Sequence, residues 1–231
     1  MERIDKILSG CGLGTRKEVK KLIKNAMVSV DGKVISSSDF KIDEVNSKIT
    51  VGGEEIKYRK YIYLMLNKPD GYVSATEDNV YPVVTELVPY EFEFFNVFPV
   101  GRLDVDTEGL LILTNDGKFA HNVTSPKKHV PKKYFAVTKN PICSEDIKAF
   151  ADGMDLGDFT AKPASLEICD GGCFVTISEG KFHQVKRMFE KVGNEVVYLK
   201  RVQIGGLKLD ETLELGCVRE LSEGEIEQIW T

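Results

Sequence analysis

The stretch that most constrains this chain is Gly101-Arg102-Leu103-Asp104-Val105-Asp106-Thr107-Glu108-Gly109-Leu110-Leu111-Ile112-Leu113-Thr114-Asn115-Asp116-Gly117. Four consecutive apolar residues, Leu110 to Leu113, lie between Gly109 and the turn-forming Asn115-Asp116-Gly117, a pattern that predicts a buried strand. Three acids precede it at alternate positions, Asp104, Asp106 and Glu108. Either these acids face solvent, or one of them sits at the mouth of a pocket beside Arg102. The acids and Gly109 also match the first half of a calcium-binding EF-hand loop, but the twelfth position is Asn115 rather than a bidentate Glu, and both flanks read as extended chain. Calcium binding is therefore not expected.

A chain of 231 residues with 42% hydrophobic and 29% charged residues can pack a core. No segment approaches the roughly twenty apolar residues that span a bilayer, and the N-terminus lacks an apolar signal core. A cytoplasmic protein is expected. The five cysteines and three histidines are too scattered for a zinc site, so reduced thiols are expected and no metal. Charge is uneven. Residues 1–60 hold 13 Lys/Arg against 9 Asp/Glu, net +4, and residues 61–231 hold 18 against 27, net −9. This distribution suggests a nucleic-acid handle on a separate working part.

In the basic part, residues 3 to 10 read as a short helix broken by Gly10, Gly12 and Gly14. Thr15-Arg16-Lys17-Glu18 is a capping box. The helix it opens places Val19, Leu22 and Ile23 on one face, and Arg16, Lys17, Lys20, Lys21 and Lys24 on the rest, a plausible phosphate contact surface. Asp31-Gly32 and Gly52-Gly53 each turn a hairpin. This order, with Arg3-Ile4-Asp5-Lys6 at its start and Val28-Ser29-Val30-Asp31-Gly32 after the helix, resembles the S4 RNA-binding domain over about residues 1–58. The resemblance implies RNA contact by Arg3, Lys6 and the basic helix, through shape and phosphate.

Residues 57 to 61 form a charged joint, expected to let the first unit move. Tyr61 to Leu66 reads as a strand, and Asn67-Lys68-Pro69-Asp70-Gly71 as a turn after it. Lys68 at the strand exit can be plain surface or can face a phosphate. Lys118 to Val123 reads as a helix. Lys127 to Tyr134 is the basic cluster of the acidic part, with an aromatic that can stack a base while Lys133 holds the backbone. Ser144 is expected to cap a helix, and Asp170-Gly171-Gly172 to turn a hairpin. Gly180 frees a turn before a helix from about His183 to Val192. Val196 to Leu199 and Gln203 to Gly206 read as strands or edges, and Ser222-Glu223-Gly224-Glu225 opens a last helix.

Gly101-Arg102-Leu103-Asp104 with Thr107-x-Gly109-Leu110-Leu111 resembles the catalytic motif of pseudouridine synthases. Asn67-Lys68-Pro69-x-Gly71, Lys133-Tyr134 and the run Glu179 to Phe189 resemble three further motifs of that family, in order. With the S4 unit in front, the chain resembles the RsuA-like synthases. The resemblance implies an α+β fold: a small helix–helix–hairpin domain (1–58), then a catalytic domain (61–231) with a mixed, largely antiparallel sheet flanked by helices. It implies isomerisation of a uridine with Asp104 as the catalytic carboxylate and no cofactor. Whether Asp104 attacks sugar or base or promotes loss of the base stays open. Arg102 and Lys186 are the cations expected to pair with it, with Arg187 the less favoured substitute for Lys186. Tyr134 would stack the flipped uracil. Lys68, Lys133, His183, Gln184 and Arg187 are expected to contact RNA, with His183 favoured for that role over direct catalysis. Asp106 and Glu108 are expected to be structural or solvent-facing. The expected partner is ribosomal RNA, small-subunit rather than large-subunit, met by a monomer. An S4-type RNA binder without catalysis is the competing reading.

Overall fold

A computed structural model describes residues 1–43, 46–56 and 58–231. Lys57, the first residue of the charged joint, lies outside the described residues. Two compact units emerge, one formed by Met1–Ile62 with Pro89–Asn96, the other by Tyr63–Val88 with Val97–Thr231.

In the first unit, α1 (Ile4–Ser9) is followed by α2 (Arg16–Lys24). The capping box at Thr15 forms as its sequence dictates: Thr15 Oγ1 accepts from Glu18 N–H at 3.4 Å, and Glu18 Oε2 accepts from Thr15 N–H at 2.7 Å. Asn25 ends the helix. A four-stranded antiparallel sheet follows, built from β1 (Val28–Val30), β2 (Lys33–Val34), β3 (Ile49–Val51) and β4 (Glu54–Ile56) in the order β2-β1-β3-β4. Ile4, Ile7, Leu8, Val19, Ile23, Val28 and Ile49 close one core between helices and sheet. The apolar stripe of α2 is thereby buried, and Arg16, Lys17, Lys20, Lys21 and Lys24 remain exposed.

The second unit is built on a mixed sheet of nine strands. In chain order its main members are β5 (Tyr63–Lys68), β6 (Glu108–Thr114), β7 (Lys132–Thr138), β8 (Ser165–Cys169), β9 (Gly172–Ile177), β10 (Val196–Ile204) and β11 (Val218–Glu220). Across the sheet they run β8-β9-β7-β10-β6-β5-β11. Every pairing along this path is antiparallel except β10 with β6, which is parallel at Lys200↔Glu108 and Arg201↔Gly109. The helices are α3 (Gly117–Thr124), α4 (Ser144–Asp152), α5 (Gln184–Lys191) and α6 (Glu223–Gln228). Leu110 to Leu113 are fully buried, as a central strand requires.

Three local expectations are corrected. Lys68 is the last residue of β5 rather than part of a turn. Cys143, not Ser144, is the cap of α4, because Asp146 Oδ2 reaches back to the Cys143 N–H at 3.0 Å. Val196 to Ile204 is one continuous strand. Lys200-Arg201 reads as an interruption in sequence, but Arg201 is buried and its Nε donates to Leu110 O at 2.8 Å, so a charge sits inside the sheet.

The β6–β10 crossing fixes Gly109. Its φ is +100°, and a Cβ there would lie 2.3 Å from Arg201 O. Gly109→Ala therefore combines backbone strain with an overlap against main chain, and should lower unfolding free energy by at least ~2 kcal/mol. Gly180 has open space around its Cβ position and no positive φ. Gly180→Ala, the control, should stay within about 0.5 kcal/mol of wild type in the same denaturant titration.

Candidate active site

The site is assembled by clamping one loop against the end of a strand. Lys68 is fully buried at the end of β5. Its ammonium donates to Pro69 O at 3.0 Å, Val105 O at 2.9 Å and Thr107 O at 3.0 Å. Three donors meet three carbonyls, which is how a buried ammonium is tolerated. Gly71 N–H adds a bond to Val105 O at 3.0 Å, and Ser74 Oγ both donates to Leu103 O and accepts from Leu103 N–H at 3.0 Å. The segment 68–74 thus holds residues 103–107 at four points of their main chain. Burial pushes the Lys68 ammonium down to about 8. The RNA contact expected for Lys68 is therefore wrong: its charge is spent on the protein's own carbonyls.

The loop so held carries Asp104 to a cavity of about 130 Å³, whose walls include Arg102, Thr107, Lys132, Tyr134, Lys186 and Arg201. Asp104 keeps part of its side chain exposed. Lys186 Nζ lies 3.8 Å from its Oδ2, and His183 Nε2 lies 3.5 Å from its Oδ1. Lys186 is bound more closely to Asp106, donating to its two carboxylate oxygens at 2.5 and 2.7 Å. Burial works against the charge on Asp106, but the ammonium outweighs it and holds the carboxyl below its ordinary range. Asp106 is thus one of two carboxylates sharing a cation. Arg102 lines the cavity but is exposed and forms no ion pair with Asp104 among the described residues. The expected Arg102–Asp104 pair is therefore replaced by contacts from α5 and the residue before it.

Tyr134 is buried at the cavity wall, on β7. Strand alternation puts Lys132 on the same side, where burial and the neighbouring Arg201 push it down to about 8. Lys133 falls on the opposite side, 3.5 Å from Glu167 and 4.5 Å above the Phe174 ring. It does not share the Tyr134 cavity. His183 opens α5 in the left-handed region, φ 49°, with its ring stacked on Phe182 at 3.8 Å. Gln184 is buried, with its amide donating to Glu179 Oε1 at 3.0 Å and accepting from Lys181 N–H at 3.0 Å. It fastens the turn into α5, which corrects its expected RNA contact. Arg187 faces away from Asp104, onto Asp158, Leu156 O and the Phe159 ring. Glu108 accepts from the Tyr198 hydroxyl at 2.6 Å. In the first unit, Arg3 pairs with Asp5 and Lys6 with Glu2, so both are engaged within their own helix region.

Thr107, Lys132 and Arg201 were not reached by sequence reasoning. The signals were a hydroxyl inside an acidic motif, the two-residue step from Lys132 to Tyr134, and a lone arginine within an apolar strand.

Replacing Lys68 by methionine removes the clamp at similar volume. The folded ammonium titrates near 8 against an ordinary 10.5, so between those values the unfolded chain binds more protons than the folded one. The stability of wild type relative to Lys68→Met should rise with pH across that window and stay flat below it. Denaturant unfolding of both proteins at a series of pH values reads the difference.

Two family models match this chain: the RNA pseudouridylate synthase family over residues 62–191 and the S4 domain over residues 2–49. An uncharacterised RNA pseudouridine synthase of Bacillus subtilis is 48% identical, covering 97% of this chain and 96% of its own length. The ribosomal small subunit pseudouridine synthase A of Pasteurella multocida is 43% identical over 97% of each chain. That of Vibrio cholerae is 42% identical over 99% of each. A crystal structure of a pseudouridylate synthase, 38% identical, superposes with a TM-score of 0.69 over 99% of this chain and all of its own. No helix among the described residues is long and apolar enough to cross a membrane. With an S4 domain, a matching synthase domain and 42–48% identity to these enzymes over nearly its full length, the chain belongs to the RsuA-type RNA pseudouridine synthases.

Proposed function

We propose that this enzyme isomerises one uridine of small-subunit ribosomal RNA, with Asp104 as the catalytic carboxylate. The observation that carries the reading is the clamped loop: Asp104 is held at a cavity wall by bonds to its neighbours' main chain, with Lys186 and His183 beside it and Tyr134 in the same cavity. The names of the Pasteurella and Vibrio relatives support the ribosomal substrate.

The reaction keeps every atom of the substrate. The C1′–N1 bond breaks, the base turns, and a C1′–C5 bond forms. C5 gives up its proton and N1 takes one up, so no outside group or electron is consumed. A carboxylate serves as nucleophile or base in either order of these events. Lys186 sets a positive charge 3.8 Å from that carboxylate, and its hold on Asp106 keeps the ammonium at the cavity when RNA is absent. Tyr134 stacks the everted uracil, offsetting the few kcal/mol of unstacking. His183 stands where it can contact the RNA backbone or the sugar. The S4 unit supplies sequence-independent grip through α2.

Pseudouridine mapping of total rRNA from cells with and without the gene tests the reading directly. One uridine should lose its modification, and a position in the large subunit instead of the small one would overturn the substrate assignment. Asp104→Asn should cut the rate on the order of 10³-fold or more while leaving RNA affinity within a few-fold. Reversing Lys17 and Lys21 to Glu should weaken RNA binding and lower the salt dependence of log affinity by about two, with the rate on saturating RNA unchanged.

A further inference from the structure

Among the described residues, three buried side-chain polar atoms have no hydrogen-bond partner: Asn67 Oδ1, Thr107 Oγ1 and Arg201 Nη2. Two of the three belong to residues that line the cavity holding Asp104 and Tyr134. Thr107 is 1% exposed and Arg201 4%. Both are rigidly placed. Thr107 N–H donates to Asp104 O at 3.1 Å, and its carbonyl accepts from Lys68. Arg201 lies opposite Tyr134 in the β7–β10 register and beside Gly109 in the β10–β6 register, with Nε tied to Leu110 O. Packing thus presets one hydroxyl and one guanidinium N–H while withholding a protein partner from each. Folded proteins pair such groups, and an exception is completed by an ordered water, an ion or a ligand.

The chemistry of the pair selects an occupant. Arg201 Nη2 only donates, and the Thr107 hydroxyl can accept. The polar edge of uracil presents two carbonyl oxygens flanking the N3–H donor. We infer that Thr107 and Arg201 read this edge: Arg201 Nη2 donates to one of the two carbonyl oxygens, and Thr107 Oγ1 accepts from N3–H. The inference rests on the isomerase reading above and adds to it the groups that choose the base. Cytosine lacks the N3–H, so the Thr107 hydroxyl would have to turn and donate to N3 instead, and it carries an amino group in place of O4, which sets donor against donor where Arg201 reads that position. The nearby Lys132 already places two of its three donors on Val130 O at 2.7 Å and Val123 O at 3.3 Å.

The test uses single-turnover rates on the RNA identified by mapping, carrying uridine, 2-thiouridine or 4-thiouridine at the target. Sulfur is the weaker acceptor. Thr107→Val replaces a partnerless hydroxyl by a methyl of the same shape, so melting temperature and RNA affinity should hold while the rate falls about tenfold or more. Arg201→Gln should slow the uridine reaction about 100-fold. The thio substitution that slows the wild type should cost Arg201→Gln nothing further. A Thr107→Val enzyme at wild-type rate, or one whose rate loss comes with a lowered melting temperature, overturns the assignment. So do losses that multiply for both thio-RNAs. Arg201→Lys replaces Arg201→Gln in the cycle if the latter does not fold, and failure of both to fold makes the guanidinium a structural post and overturns its role. A wild type inactive on the uridine RNA defeats the isomerase reading itself, whereas an active wild type with indifferent variants defeats only this inference.

Discussion

The site depends on one buried ammonium. Lys68 sits at the end of a central strand with no exposure and spends its three donors on the carbonyls of Pro69, Val105 and Thr107. A loop rich in carboxylates would otherwise repel itself and sample many conformations. Here its main chain is tied at 105 and 107 by a cation that also offsets part of the negative charge. The cost of burying that cation is offset in part by three well-formed bonds, each stronger inside a low-dielectric interior than in water. Without the clamp, the geometry of Asp104 toward Lys186 and His183 would have no fixed reference.

Charge at the cavity is arranged as a competition rather than as a single pair. Lys186 has two carboxylates within reach, 2.5 Å and 3.8 Å away, and it sits on the nearer one, Asp106. The same cavity is lined by Lys132 and Arg201, both buried and neither paired with an acid among the described residues. Buried donors of this kind favour a ligand that brings acceptor oxygens to them. That preference fits a base with two carbonyl groups held by its edge.

Much of the architecture was legible in the chain. The capping boxes at Thr15 and Ser222, the hairpins at Asp31-Gly32 and Asp170-Gly171-Gly172, and the strand at Leu110–Leu113 are set by interactions within a few residues of each other. The family motifs likewise pointed to the loop around Asp104. Side-chain roles were less legible. Lys68, Gln184 and Arg187 were read as RNA contacts because they are polar and stand in family motifs. The fold instead turns them onto carbonyls, a glutamate and Asp158. Arg201 was not singled out, because nothing in its local sequence marks a buried guanidinium.

By itself, the sequence determined which elements form, the S4-then-synthase order, and which loop carries the carboxylate, since periodicity, caps and turns act over short stretches of chain. The tertiary structure alone decided that Lys186 is shared between Asp104 and Asp106, that Lys68 is a clamp, and that Thr107 and Arg201 meet at one cavity. Those facts join residues 37 to 94 positions apart, from Lys68 with Val105 at the short end to Thr107 with Arg201 at the long end. No local pattern encodes such distances; only the register of the sheet and the parallel contact at Gly109 bring them together.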